Sequence, residues 1–214
     1  QGRLISTTLQ DGSVSEFEYD DAGRLTAIIN AKGERREYSL DAENNITAIR
    51  QLDATGSLRW KELRTYNELS YLTALTDGTG NVSSFTWDRV ANLISETDPA
   101  GHTTQNTYDG FNHQTKQTDA VGAISNYRYD GNGRLTTITD PRSKNTSYTR
   151  NGFGNVVSQV SPDTGTTTFT YDNAGNIASR TNALGQKTSF SYDALNRLTN
   201  ISSSVSGTSP VTLS

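Results

Sequence analysis

Aromatic side chains recur two positions apart in short bursts: Phe17 with Tyr19, Phe85 with Trp87, Tyr127 with Tyr129, Phe169 with Tyr171, and Phe190 with Tyr192. Residues two apart share one face of a strand, so each burst predicts a half-buried β-strand carrying a row of rings on one side. A second apolar segment follows each burst, spaced by three: Leu25 with Ile28, Ile46 with Ile49, Leu135 with Ile138, and Leu198 with Ile201. In an unbroken strand such pairs face opposite ways, whereas a bulge would bring them to one face. Spacing alone leaves both arrangements open. A spacing of three also suits a helix, but the turn residues leave only about six or seven positions between breakers, too few for a typical helix. Short strands joined by tight turns are therefore expected throughout.

The bursts are periodic. Tyr19-Asp20, Trp87-Asp88, Tyr108-Asp109, Tyr129-Asp130, Tyr171-Asp172 and Tyr192-Asp193 occupy one repeated position, and from residue 87 onward the step is 21 or twice that. Arg150-Asn151 fills the place of a degenerate copy, and Leu40-Asp41 fills another. Between Asp41 and Tyr66-Asn67 the chain carries five extra residues. That segment, residues 50–65, includes Trp60-Lys61-Glu62-Leu63-Arg64 and is expected to be a decorated or lengthened turn. Downstream of the dipeptides stand Gly23-Arg24-Leu25, Asn44-Asn45-Ile46, Ala91-Asn92-Leu93, Gly133-Arg134-Leu135 and Gly175-Asn176-Ile177. Upstream by seven stand Gly12, Gly33, Gly80, Gly101, Gly122 and Gly185, with Ser143 in the degenerate copy. Residues 1–214 thus read as one array of about ten units. Gly2-Arg3-Leu4 begins inside a unit and Pro210 to Ser214 reads as a strand awaiting its dipeptide, so both ends are expected to be boundaries within something longer.

In Tyr129-Asp130-Gly131-Asn132-Gly133, Asp opens a four-residue turn and Gly closes it, where a left-handed backbone suits Gly and few other residues. An Asp at the first turn position can accept hydrogen bonds from amides a few residues on. Asp98-Pro99-Ala100-Gly101 applies the same logic at the opposite end of a unit. A pair of short strands cannot bury its apolar face alone, so neighbouring units are expected to pair edge to edge in an elongated, twisted, spiralling antiparallel sheet of stacked hairpins.

Composition narrows the function classes. Hydrophobic residues make up 32% of the chain and the mean hydropathy is −0.66, too polar for a membrane-inserted segment. A formal charge of −4 argues against a phosphate backbone as partner, which draws its affinity from clustered Lys and Arg. The absence of cysteine removes disulfides, thiolate metal sites and thiol nucleophiles together.

The recurring Gly, then Tyr-Asp-x-x-Gly-Arg/Asn-Leu/Ile, resembles the YD or RHS repeat family over essentially the whole chain; Tyr19 to Leu25, Tyr129 to Leu135 and Tyr171 to Ile177 match it best. The resemblance implies a β-ribbon that spirals into a hollow shell. It further implies a secreted or cell-surface bacterial protein whose partners are the rest of the shell and an enclosed C-terminal toxin domain. Adhesive, teneurin-like modules are also members, and carbohydrate binding has been proposed for such repeats. No Asp-Pro-x-Gly-Leu segment of the shell-closing kind is found, because Asp98-Pro99-Ala100-Gly101 runs into His102 and belongs to the repeat.

Tyr19, Asp20, Gly23, Trp87, Asp88, Tyr108, Asp109, Tyr129, Asp130, Gly133, Tyr171, Asp172, Gly175, Tyr192 and Asp193 are expected to be structural, since catalysis needs one constellation rather than many copies. No enzymatic activity, cofactor or metal is expected. His102 and His113, the two histidines, sit in turn-like contexts without a ligand motif. Tyr127, Tyr171 and Tyr192 are the candidates for stacking against a sugar ring.

Overall fold

The computed structural model describes residues 2–204 and 211–213. They form strands and turns with no helix, and the chain divides into two compact units. Unit 1 holds β1 (Ser6–Thr8), β2 (Val14–Tyr19), β3 (Leu25–Ile29), β4 (Arg35–Leu40), β5 (Ile46–Leu52), β6 (Leu58–Tyr66), β7 (Leu72–Thr76), β8 (Val82–Trp87), β9 (Leu93–Thr97) and the start of β10 (Thr103–Tyr108). Unit 2 holds β11 (Gln114–Thr118), β12 (Ile124–Tyr129), β13 (Leu135–Thr139), β14 (Asn145–Arg150), β15 (Val156–Ser161), β16 (Gly165–Tyr171), β17 (Ile177–Thr181), β18 (Lys187–Tyr192), β19 (Leu198–Ser204) and β20 (Val211–Leu213). Within each unit every strand pairs antiparallel with the next in sequence. The expected strand from Pro210 to Ser214 is present as β20, its two end residues lying outside the described residues.

The spacing of three in the returning strands is resolved by a bulge. Tyr19 faces Leu25 while Phe17 faces Ile28, with the register shifting between Glu18 and Tyr19. Two residues on β2 therefore oppose three on β3, and Leu25 and Ile28 join the two aromatic rings on one face. The same shift places Tyr38 and Leu40 opposite Ile49 and Ile46, Phe85 and Trp87 opposite Glu96 and Leu93, and Tyr127 and Tyr129 opposite Ile138 and Leu135. The extra residue is commonly threonine. Its hydroxyl satisfies the partner strand across the bulge: Thr47 donates to the Ser39 carbonyl at 3.3 Å, Thr136 to that of Arg128 at 3.0 Å, and Thr199 to that of Ser191 at 3.0 Å.

The five extra residues in 50–65 do not lengthen a turn. The turn at Asp53 is the ordinary one, with Gly56 N–H on the Asp53 carbonyl at 2.9 Å. The insertion extends the hairpin instead: β5 has seven residues where β3 has five, and β6 has nine where β4 has six. One strand gains one residue more than the other, and a bulge at Gln51/Leu52 absorbs the difference. Trp60 to Arg64, expected in a lengthened turn, pairs across to β5 instead, because local propensity is weak against a preformed edge.

Little of the chain is enclosed. Ala27, Ala48 and Ile49 are the buried apolar residues, and no large side chain is fully covered among the described residues. The accessible surface is 14225 Å², against about 9,700 Å² expected for a compact monomer of this mass. Cohesion must therefore come from contacts repeated between neighbouring hairpins, and the tyrosine–aspartate turns supply them.

Candidate functional site: the tyrosine–aspartate turns

At each Tyr-Asp position the aspartate organises the tight loop that follows it. In the loop after β12, Asp130 Oδ1 accepts the amides of Asn132 and Arg134 at 2.9 and 3.0 Å, and Oδ2 accepts Arg134 Nε at 2.8 Å. The Gly133 amide closes on the Asp130 carbonyl at 2.9 Å, with Gly133 at φ +75°. This is a type I turn followed by a left-handed residue, the usual three-residue hairpin loop. Asp88, Asp109, Asp172 and Asp193 hold their loops through the same atoms. The opposite ends of the hairpins use it too, for example at Asp98 with Ala100 and His102. Asparagine serves equally: Asn151 Oδ1 accepts Phe153 and Asn155 amides at 3.0 Å each.

These hydrogen bonds stabilise the ionised form. The Arg134 amide, then the Asn132 amide and the Arg134 guanidinium, hold Asp130 below the ordinary carboxylate value; the Asn92 amide does so for Asp88 and that of His113 for Asp109. At the opposite hairpin ends, Thr55 and the Ser57 amide bring Asp53 down to about 2. Carboxylates held anionic and occupied by turn amides are poor proton donors or acceptors at neutral pH.

The tyrosine hydroxyl reaches back to the previous repeat. Tyr19 donates to the Leu4 carbonyl at 2.9 Å, Tyr66 to Ile46 at 3.0 Å, Tyr129 to Gln114 at 2.8 Å, and Tyr171 to Val156 at 2.8 Å. Trp87 makes the bond with its indole Nε1, to Leu72 at 2.7 Å, and Arg150 makes it with Nη2, to Leu135 at 3.0 Å. Three chemically different residues share the position because each is long and ends in a donor. The hydroxyl, indole or guanidinium thus latches one hairpin to its predecessor.

A third contact runs forward. The side chain at the clamp position, four residues after the turn Asp or Asn, extends over the next repeat, and where it is Arg24, His113 or Arg134 it also binds the turn Oδ2; Arg3 holds the same position at the start of the chain. Arg3 lies 5.8 Å from the Tyr19 ring centroid, Arg24 donates to the Asp41 carbonyl, Tyr71 packs 5.7 Å from Trp87, and His113 stacks on Tyr129 at 4.7 Å. The missing Cβ of Gly133 makes room for that imidazole, since a methyl there would meet His113 Nε2 at 2.6 Å. His113 is thereby accounted for as a packing group paired to Asp109 at 3.0 Å; His102, mostly exposed, pairs with Asp98 at 2.9 Å. No cluster of three metal-ligating side chains occurs among the described residues.

Of the three tyrosines considered for sugar stacking, Tyr127 and Tyr171 line open grooves and Tyr192 is half-buried at the end of β18. One groove lies between Phe111, His113, Tyr127 and Tyr129; its counterpart in the same unit, 42 residues on, lies between Phe153, Phe169 and Tyr171. Phe111 and Phe153, 83% and 94% exposed, sit at turn tips where sequence periodicity had no reason to single them out. The latch and the clamp were equally hidden, since both are contacts between repeats and the sequence pattern speaks only for positions within one.

Single-layered antiparallel hairpins joined by a recurrent aromatic latch and Asp turn define the YD-repeat class. The chain belongs to the teneurin YD-shell family, which it matches over residues 40–212, and it matches the RHS repeat over residues 1–35 and 19–57. Among solved structures it is similar to the TcdB2-TccC3-Cdc42 crystal structure, with a TM-score of 0.69 and 15% identity, covering 97% of this chain and 15% of that one. It is equally similar to the Photorhabdus luminescens Tc holotoxin pore carrying the TccC3 mutation D651A, with TM-score 0.69, 15% identity and the same coverage. A TcdB2-TccC3 structure without its hypervariable C-terminal region gives TM-score 0.66 at 16% identity, over 94% of this chain and 14% of that one. At such identities the likeness is one of fold. The chain spans about 15% of the length of the structures it matches. No curated protein matches it.

Proposed function

We propose that the chain is a non-catalytic wall segment of a YD-repeat shell that encloses a C-terminal toxin domain and helps deliver it. The parent would be a secreted or surface bacterial protein active against competitors or a host. The observation that carries this reading is the latch: the tyrosines of the Tyr-Asp pairs at 19, 129 and 171 are spent on the preceding hairpin and the aspartates on their own loops, as at Tyr171 and Asp172. Groups so committed build surface rather than bind a reacting molecule. The fold likeness to toxin-complex chains and the short share of their length that this chain spans both fit a piece of container wall. The test is limited proteolysis of the longer protein that contains this chain. Protection of a downstream domain that is cut rapidly when produced alone supports enclosure; equal cleavage in both contexts refutes it.

A second reading, a carbohydrate-binding or adhesive cell-surface module, is favoured by the two aromatic grooves that recur within unit 2. Rings beside amides and carboxylates suit the apolar face and hydroxyls of a pyranose. Binding on a glycan array that is lost when Tyr127, Tyr171 and Tyr192 are replaced by Ala, with the fold retained, would support it. An array without signal would eliminate it.

A further inference from the structure

The degenerate repeat places two guanidinium groups around one glycine, Gly154, without the carboxylate that its neighbours would provide. Arg150 stands where Tyr129 and Tyr171 stand, and Asn151 follows where Asp130 and Asp172 follow. Arg150 Nη1 donates to the Gly154 carbonyl at 3.3 Å and Nη2 to that of Leu135 at 3.0 Å. Its Nε is buried with no hydrogen-bond partner. The clamp residue of the preceding turn, Arg134, extends over the same glycine, its Nη1 lying 2.7 Å from where a Cβ on Gly154 would be.

Elsewhere a clamp cation lies between two anionic turns: Arg24 pairs with Asp20 Oδ2 at 2.7 Å and donates to the carbonyl of Asp41, itself a turn carboxylate. Arg134 has only the first such partner, Asp130 Oδ2 at 2.8 Å. On its far side it meets Gly154 of the neutral Asn151 turn, the residue whose carbonyl Arg150 holds. Of the two guanidiniums only that of Arg134 has a carboxylate partner among the described residues, in a chain whose net charge is −4, and Arg150 keeps a donor unfilled. Planar, multi-donor guanidinium groups are suited to oxyanions, which they bind through paired N–H bonds.

We propose that Arg134 and Arg150 form an oxyanion site that takes a carboxylate supplied from outside the repeat, in place of the one Asn151 lacks. The outward N–H groups of both side chains hold it, and Asp130 continues to orient Arg134. The ligand class is a carboxylate or an oxyanion of like charge, either free or carried on an acidic peptide segment.

The test uses the 214-residue chain, with Nε–Hε resonances of its arginines followed by heteronuclear NMR. Acetate, inorganic phosphate and tetraglutamate are titrated at ionic strength held constant with chloride. Saturable shifts at Arg134 and Arg150, exceeding those of the other arginines, are expected. Arg150→Tyr keeps a donor for the Leu135 latch and should lower the apparent affinity by at least about tenfold, as loss of a charged hydrogen-bonding partner implies. Asn151→Asp should weaken binding likewise by supplying the carboxylate internally. Should Arg150→Tyr not fold, Arg134→Asn, a residue tolerated at the equivalent positions 92 and 176, carries the same expectation. Tetraglutamate outperforming acetate at equal carboxylate concentration assigns a peptide source; equal performance assigns a free ion. Linear shifts shared by all arginines, or unchanged affinity in Arg150→Tyr and Arg134→Asn, would overturn the site.

Discussion

Arg150 donates Nη2 to the Leu135 carbonyl at 3.0 Å, where Tyr171 donates its hydroxyl to Val156 at 2.8 Å in the next repeat. The shared role identifies the Tyr of the Tyr-Asp pair by its terminal donor as much as by its ring. Removing only that donor isolates the latch. Tyr171→Phe keeps the ring and leaves the half-buried Val156 carbonyl short of a partner, so it should cost about 1 kcal/mol. Tyr171→Ala, which also deletes the packing surface, should cost about 3 kcal/mol or more. Equilibrium denaturation of both variants checks the ordering; a Phe variant as stable as the parent would show the latch to be decorative.

The Gly133 position carries two independent constraints. Its φ of +75° disfavours a β-branched residue, and a Cβ would collide with His113. Gly133→Val is expected to destabilise by roughly 1–3 kcal/mol. Gly175 has φ +86° but open space around it, so Gly175→Val should show the backbone cost alone and be the milder change. Adding His113→Asn to Gly133→Val should recover the difference. Thermal melts of the four proteins separate the contributions, and equal losses at the two glycines would rule out the His113 contact.

At the bulges a single hydroxyl replaces a ladder bond. Thr136 donates to the Arg128 carbonyl at 3.0 Å across the bulge, in an exposed setting. Thr136→Val preserves shape and β-propensity while removing the donor, so a loss of about 0.5 kcal/mol is expected. Hydrogen exchange at the neighbouring strand amides is the sensitive measurement; unchanged protection would show that solvent replaces the hydroxyl without cost.

Much of this was legible in the chain itself. The alternation of Tyr127 and Tyr129 declared a strand, and Asp130 with Gly133 declared its turn, because both are local consequences of backbone geometry. The spacing of Leu135 and Ile138 was readable only as a choice between opposite faces and a bulge, since the deciding fact is the register against Arg128 and Tyr129. The segment around Trp60 misled for the same reason. Its five extra residues read as a longer turn, but an open edge at β5 recruits them as strand. The clamp of His113 on Tyr129 and the reach of Arg134 to Gly154 are relations between repeats, and nothing within one repeat's pattern announces them.

The turn aspartates make a pH dependence of definite sign. Asp88, Asp109, Asp130, Asp172 and Asp193 are all held below the ordinary value of 3.8 in the folded chain, each first through the amide or side chain four residues on. A group with a depressed folded value binds its proton more readily when unfolded, so its stabilising contribution is fully present above the unfolded value and is lost as pH falls through the folded one. The melting temperature should therefore be independent of pH, as far as these groups are concerned, between about pH 5 and 8, where their stabilisation is fully present, and should fall below about pH 4. Asn151 and Asn182 hold equivalent loops without a charge. Asp172→Asn should accordingly leave stability near neutrality almost unchanged while making the acid limb shallower, and replacing several aspartates together should flatten it further. An acid limb as steep in the multiple Asp→Asn variant as in the parent would show that other carboxylates, such as Asp53 at about 2, govern acid unfolding instead of the Tyr-Asp turns.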